Sequence, residues 1–322
     1  MRLGMTIPFD GISLPEQRAL YEELESLGYS DLWSAEANGS DGFTPLVLGS
    51  QWAPTMRLGT AIIPAYTRGP GLLAQSVAAL AEIAPGRVAL GIGSSSNVIV
   101  EQWNGISFDN PYARVRDSVR FLKKALSGEK VDEEFQTFRV KGFKLGRKVD
   151  VQPQIMIAAL REGMLKLAGR ESDGAIINWL GAEDVAKVNP IVQEASGDGQ
   201  PKEIVARIFV CPSEDIDTVR AGARFAIAAY LNVPVYAAFH EWLGNAPLLQ
   251  GMWDAWKAGD RKAALAAIPD ELVDRLVVHG SLDDCRAHLD RYAANGVTTA
   301  AIALLPLAKY DLRGALQGLA PR

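Results

Sequence analysis

The chain has 322 residues, 48% of them hydrophobic and 22% charged, with a net charge of −5. This composition is typical of a globular protein, and no apolar run reaches the roughly 18 residues that a membrane span needs. The acidic balance and the scattered basic residues argue against a nucleic-acid-binding surface.

Targeting and metal-binding signals are also missing from the sequence. The N-terminal stretch MRLGMTIPFDG has no apolar segment followed by a small-residue cleavage site, so we expect a cytoplasmic protein. Cys211 and Cys285 lie too far apart for a zinc or redox motif. No histidine follows a predicted strand, and we therefore predict no metal site.

Short apolar segments alternate with amphipathic ones along most of the chain. Asn110 with Pro111 and Ser13 with Pro15 are typical of helix starts. The predicted strands cover residues 1–7, 31–35, 57–63, 88–92, 154–158, 174–178, 204–211 and 298–304. The predicted helices between them cover residues 16–27, 44–52, 70–84, 111–126, 163–170, 182–195, 214–230 and 282–294.

Two segments interrupt this alternation. Residues 131–150 contain a short alternating pattern typical of a hairpin, and residues 232–278 are rich in helix formers and tryptophan with no obvious strand. Eight strands alternating with helices predict a (β/α)8 TIM barrel rather than a two-domain dinucleotide-binding enzyme. We therefore expect one barrel domain over residues 1–322 with two insertions.

The fourth strand runs directly into a glycine- and serine-rich turn, GIGSSS. In a barrel, chemistry gathers at the C-terminal ends of the strands, which is where this turn would lie. Glycine lets the backbone approach a ligand, and serine adds hydroxyl and amide donors for phosphate or ribityl-type oxygens. The residues concerned are Gly93, Ser94, Ser95 and Ser96, for which an ordinary turn is the alternative interpretation.

Two other strand ends carry candidate functional groups. Glu36 follows the second strand, where it could act as an acid or base or accept a hydrogen bond from a ring N–H; the alternative is a carboxylate that anchors a loop. The fifth strand leads into a helix start, whose free amides favour an anion and to which Arg161 could add a charge-assisted bond. That segment comprises Ala158, Ala159, Leu160, Arg161, Glu162 and Gly163.

Few titratable groups lie at the strand ends, which suggests a cofactor that brings its own reactivity. In four segments the chain resembles the luciferase-like monooxygenase superfamily, and within it the oxidoreductases that use the deazaflavin coenzyme F420. The segments are LGYSDLWSAE, MRLGTAIIPAYTRGP, GRVALGIGSSSNVIVEQWNGISFDNPYARVRD and IMIAALREGMLKLAGRESDGAIINW.

The resemblance implies a deazaflavin at the barrel mouth, backed by a bulge after the third strand that contains a non-prolyl cis peptide. By position this bond would join Ala61 and Ile62. Glu36 would lie beside the ring, residues 93–96 along the cofactor tail and residues 159–163 at the phosphate. A homodimer is also implied by the resemblance alone.

The substrate pocket is the least determined part. We expect Trp33, Trp103, Asn104, Asn178 and Trp179 to shape it, although the tryptophans could equally fill the core. Asn104 stands where relatives often carry a histidine, and Leu160–Glu162 replace a common glycine-proline turn. The predicted function is hydride transfer between F420 and a small or medium organic substrate. An FMN-dependent monooxygenase and a cofactor carrier without turnover are the alternatives.

Overall fold

The computed structural model describes residues 1–197 and 199–322, and within them eight parallel strands close into a barrel. The strands of the chain are β1 (Arg2–Thr6), β2 (Asp31–Ser34), β3 (Arg57–Thr60), β4 (Ile63–Pro64), β5 (Val88–Gly93), β6 (Val131–Glu134), β7 (Arg139–Phe143), β8 (Gln154–Ala158), β9 (Gly174–Asn178), β10 (Glu203–Cys211), β11 (Val277–His279) and β12 (Thr299–Leu304). The order around the barrel is β1-β2-β3-β5-β8-β9-β10-β12, and β12 pairs with β1 to close it. The predicted TIM-barrel fold is confirmed.

Helices surround the barrel and cover its outer face. They are α1 (Arg18–Ser26), α2 (Thr44–Trp52), α3 (Pro70–Ile83), α4 (Pro111–Leu126), α5 (Glu162–Glu171), α6 (Val185–Glu194), α7 (Ile216–Leu231), α8 (Pro234–Leu243), α9 (Ala246–Lys257), α10 (Arg261–Ala266), α11 (Asp270–Leu276), α12 (Leu282–Ala294) and α13 (Leu312–Leu319). In the described residues, no helix is long and apolar enough to cross a membrane.

The two interruptions seen in the sequence are a hairpin and a group of helices. Strands β6 and β7 pair antiparallel, and α8 to α11 lie between α7 and β11. Strand β11 was not predicted, because three residues are too few to show a sequence pattern. It pairs with the C-terminal half of β10, and it places His279 at a strand end, which corrects the expectation that no histidine has this position.

The predicted third strand, 57–63, is not continuous. The Thr60 hydroxyl donates to the carbonyl of Gly91 at 2.8 Å and accepts from its amide at 2.9 Å, so a side chain replaces the backbone ladder there. The chain then rejoins the sheet as β4, where Ile63 lies opposite Ile92. The two residues between β3 and β4 therefore form a bulge at the barrel mouth.

Inward-facing side chains fill the barrel in levels, as in other barrels of this type. The middle level is a separate apolar cluster of Trp33, Ala89, Met156, Ile176, Val205 and Ala301. The Trp33 ring requires glycine at position 59, where a Cβ atom would lie 2.3 Å from it. This level separates a lower end, at the start of the strands, from the mouth above it.

Candidate active site

The floor of the mouth is made of small residues around the β3–β4 bulge. The peptide bond Ala61–Ile62 is cis, which confirms what the family resemblance implies. At Gly93 a Cβ atom would lie 2.8 Å from the Cβ of Ala158 and 3.2 Å from the Cδ1 of Ile62. These four residues, from three neighbouring strand ends, therefore meet in a close-packed surface without bulky or charged groups.

Glu36 lies next to this floor and is held by two contacts. Its Oε1 atom forms an ion pair with the guanidinium of Arg68 and accepts a hydrogen bond from the amide of Gly42 at 3.1 Å. Its backbone amide donates to the carbonyl of Ile62 at 3.1 Å, which fixes it against the bulge. Both side-chain contacts use Oε1, so Oε2 remains available as an acceptor.

Glu36 and Arg68 line a cleft of about 500 Å³ at this side of the mouth. Its other wall includes Asn104, whose side-chain amide donates to the carbonyl of Ile99 at 2.7 Å. Asn104 therefore braces the turn that carries it. Arg68 was not singled out from the sequence, because it lies four residues beyond a strand end.

The serine turn leads from β5 into a π-helix, Val98–Trp103. Ser95 has a left-handed backbone with φ +63°, and the Ser96 hydroxyl accepts from the amide of Ile99 at 3.4 Å. Ser94 and Ser95 are partly exposed, so their hydroxyls can reach a ligand. The π-helix turns Trp103 outward, leaving it 54% exposed.

The start of α5 has free amide donors, as the sequence predicts. Arg161 is its N-cap residue in extended conformation, and no side chain caps the helix. Ala159 is buried, whereas Arg161, Glu162 and Gly163 are exposed. Glu162 forms an ion pair with Lys166 on its own helix at 2.5 Å, which draws its negative charge away from the first amides. These amides remain available to an anion.

The tryptophans of the predicted pocket lie in three different environments. Trp33 is fully buried in the middle level of the barrel, which corrects its assignment to the pocket, whereas Trp103 is exposed. Trp179 is 2% exposed and packs on Phe209, with ring centroids 4.1 Å apart. Its backbone is left-handed, with φ +54°.

A charged residue that we did not predict from the sequence faces the mouth from β10. Arg207 continues the inward-facing series of Glu203 and Val205, and it lies opposite Asn178 on β9. Its Nε atom and the Oδ1 atom of Asn178 are buried without a hydrogen-bond partner in the protein. The sequence contains a signal for this residue. Arg207 is the one charged residue in the apolar strand IVARIFVC, and it lies two positions after Val205, so both side chains are on the same face of the strand.

The mouth suits a flat heterocycle that has hydrogen-bonding groups along its edges. A small-residue floor can support the ring, Glu36 Oε2 and the unpaired Asn178 Oδ1 can accept from N–H groups, and the start of α5 can receive a phosphate. Among the described residues, no three histidine, cysteine, aspartate or glutamate side chains are grouped to hold a metal ion.

Fold and site together define a TIM barrel with a ligand-binding mouth at the C-terminal ends of its strands. A sequence model of the luciferase-like monooxygenase family matches residues 1–299, and the chain belongs to this family.

The chain is also similar to three individual proteins. The 5,10-methylenetetrahydromethanopterin reductase of Methanolobus tindarius is 29% identical over 280 residues, which are 85% of each chain. The coenzyme F420-dependent tetrahydromethanopterin reductase of Methanopyrus kandleri superposes with a TM-score of 0.78 at 18% identity, covering 99% of this chain and 97% of that one. An F420-dependent secondary alcohol dehydrogenase, solved with an F420-acetone adduct, gives a TM-score of 0.79 at 15% identity, covering 98% and 96%.

Proposed function

We propose that the protein is an oxidoreductase that transfers a hydride between coenzyme F420 and an organic substrate at the barrel mouth. The observation that supports this most is the floor formed by Ala61, Ile62, Gly93 and Ala158, which is close-packed, apolar and uncharged. The similar proteins named above are reductases and a dehydrogenase, and two of them are F420-dependent by name.

The chain's own residues would bind and orient the cofactor. The deazaflavin, when bound, supplies the carbon that accepts or releases the hydride. The floor residues would support one face of the ring and leave the other open to substrate. Ser94, Ser95 and the uncapped amides of α5 would bind the polar tail and its phosphate.

Glu36 would act as a hydrogen-bond acceptor for the ring of the cofactor. Arg68 and the amide of Gly42 both contact its Oε1, and the free Oε2 can accept a hydrogen bond from a ring N–H. Arg68 and Gly42 fix the direction of this acceptor, so it would select one orientation of the ring.

A binding titration tests the cofactor assignment. We expect F420 to quench the fluorescence of the seven tryptophans saturably, with FMN binding far more weakly. Glu36→Gln should weaken F420 binding about tenfold, since a hydrogen bond to a charged acceptor contributes roughly 1.5–3 kcal/mol. Glu101→Gln, a matched change on the exposed face of the π-helix, should leave the affinity unchanged.

The outcomes separate the alternatives. Tight binding of FMN with none of F420 would overturn the proposal in favour of the flavin monooxygenase. An unchanged F420 affinity in Glu36→Gln would show that this residue only anchors Arg68.

A further inference from the structure

The inner surface of the mouth carries unpaired polar atoms from three of the barrel strands. Four buried atoms have no hydrogen-bond partner in the protein: Thr6 Oγ1, Asn178 Oδ1, Trp179 Nε1 and Arg207 Nε. All four belong to residues near the C-terminal ends of β1 and β9 or on the inward face of β10. Buried polar groups are normally paired, so this group points to a polar ligand.

Arg207 is the charged member of this group. Its guanidinium lies 5.1 Å from the centroid of the Phe209 ring and forms no ion pair with any described residue. The residue is only partly exposed, so its charge is incompletely solvated by water. An unpaired cation in such a position is costly, and an anion would relieve the cost.

Tyr236 of α8 adds a neutral donor beside this cation. Burial raises the pKa of Tyr236 to about 12, so its hydroxyl stays protonated at neutral pH. The hydroxyl oxygen accepts a hydrogen bond from Asn178 Nδ2 at 3.1 Å. Because that contact uses the oxygen as acceptor, the hydroxyl proton is free to be donated to a ligand. Asn178 thus acts as a positioning residue for Tyr236.

Aromatic rings lie beside these polar groups. Trp179 packs between Phe209, at 4.1 Å, and Tyr230, at 5.0 Å. Tyr230 in turn lies 6.0 Å from Tyr236. A flat apolar ligand group can pack against these rings while its charged end faces Arg207.

We propose that Arg207 and Tyr236 bind a carboxylate carried by a planar, conjugated substrate. The assignment to the substrate, rather than to the cofactor, rests on the proposed function above. One cation and one neutral donor match the single charge of a carboxylate, and the guanidinium fork fits its two oxygens. A phosphate would call for more positive charge than this site offers.

Binding of a small carboxylate to the protein without cofactor tests the site directly. The probe is benzoate, with benzamide as its neutral counterpart, followed by tryptophan fluorescence and by calorimetry. We expect benzoate to bind and benzamide to bind at least tenfold more weakly. Arg207→Gln should weaken benzoate binding about 10- to 100-fold, Tyr236→Phe less, and Arg207→Lys should restore part of the loss.

Controls separate a binding effect from a folding defect and from a general charge effect. Arg147→Gln makes the same change of charge on the exposed surface and should not alter benzoate binding. Each variant should keep the wild-type circular dichroism. Undiminished benzoate binding in Arg207→Gln, or tighter binding of inorganic phosphate than of benzoate, would overturn the proposal.

A second titration separates this inference from the cofactor assignment. With saturating F420 present, benzoate should still bind, because substrate and cofactor occupy the mouth together. Competition between benzoate and F420 would assign the anion site to the cofactor and overturn the substrate assignment. Failure of F420 to bind at all would overturn the proposed function, while the benzoate result on the cofactor-free protein would stand.

Discussion

The inward-facing charges of strand β10 are paired at the lower end of the barrel and, among the described residues, unpaired at the mouth. Strand β10 carries Glu203 at its lower end and Arg207 at the level of the mouth. Glu203 is paired with Arg57 and with the Thr299 hydroxyl, whereas Arg207 is paired with no described residue. At the lower end, protein side chains therefore pair the inward-facing charge. At the mouth, we infer that a ligand pairs it.

The lower end is a connected network of charges. Arg57 bonds Glu203 through two nitrogens, at 2.6 and 2.8 Å, and also forms an ion pair with Asp31. The Asp31 side chain has no exposed surface, and Arg2 bonds it from outside at 3.0 Å. Burial by itself raises the pKa of Glu203, but its hydrogen bond with Arg57 and the Arg57 charge outweigh burial, and the pKa is lowered.

Removing Arg57, the cation shared by Asp31 and Glu203, should have the largest effect on the free energy of unfolding. Arg57→Met leaves Asp31 and Glu203 close together and buried without their main partner. We expect the free energy of unfolding to fall by about 3–5 kcal/mol, as for other buried pairs that lose one partner. Urea denaturation followed by circular dichroism measures this. Arg18→Met, which breaks an exposed pair with Glu22, is the control and should cost about 0.5 kcal/mol or less. A loss below about 1 kcal/mol in Arg57→Met would show that the network does not close the lower end.

Near the mouth, the buried His240 has hydrogen-bond partners for both ring nitrogens. Its effect on the free energy of unfolding depends on pH and should be smaller than that of Arg57→Met. His240 Nε2 donates to the carbonyl of Trp179 at 2.8 Å, and Asn245 bonds its Nδ1 at 3.1 Å. Burial lowers the pKa of His240 to about 4, so the folded protein holds this ring neutral.

The unfolded chain therefore binds a proton at this residue that the folded protein does not bind. A histidine with a lowered pKa stabilises the fold above its unfolded pKa of about 6.5, and that stability is lost as the pH falls toward 4. Between pH 7.5 and pH 5, His240 should contribute a loss of about 2 kcal/mol to the free energy of unfolding. His240→Gln, which keeps a donor, should show a shallower decline over this range. An equal decline in both proteins would mean that His240 does not control it.

Most of the barrel could be predicted from the sequence because its signals are local and repeated. The strand-helix alternation located every barrel strand, and the cis bond at Ala61–Ile62 was implied by the family resemblance alone. The break after Thr60 could not be predicted, since it depends on a side-chain contact with Gly91 on another strand.

The inner surface of the mouth was harder to predict, and Arg207 shows why. The TIM-barrel fold predicts functional groups at the last residue of each strand, which for β10 is Cys211. Strand β10 has nine residues and continues beyond the end of β9, so the residue level with Asn178 is Arg207, four positions earlier. Which residue reaches the mouth depends on strand register, and register follows from pairing across the sheet rather than from one strand's pattern.

The smallest effect on the free energy of unfolding is expected for a substitution of Arg207 at the mouth. It contrasts directly with the substitution of Arg57 at the lower end. Arg207→Leu removes a cation that no described residue pairs with and replaces it with an apolar group of lower desolvation cost. We expect the free energy of unfolding to change by no more than about 0.5 kcal/mol, or to rise, because no carboxylate is left without its partner. Urea denaturation of Arg207→Leu and Arg57→Met under the same conditions measures the change in the free energy of unfolding for both variants. If Arg207→Leu were as destabilising as Arg57→Met, then Arg207 would be a structural residue, and the contrast between the two ends would fail.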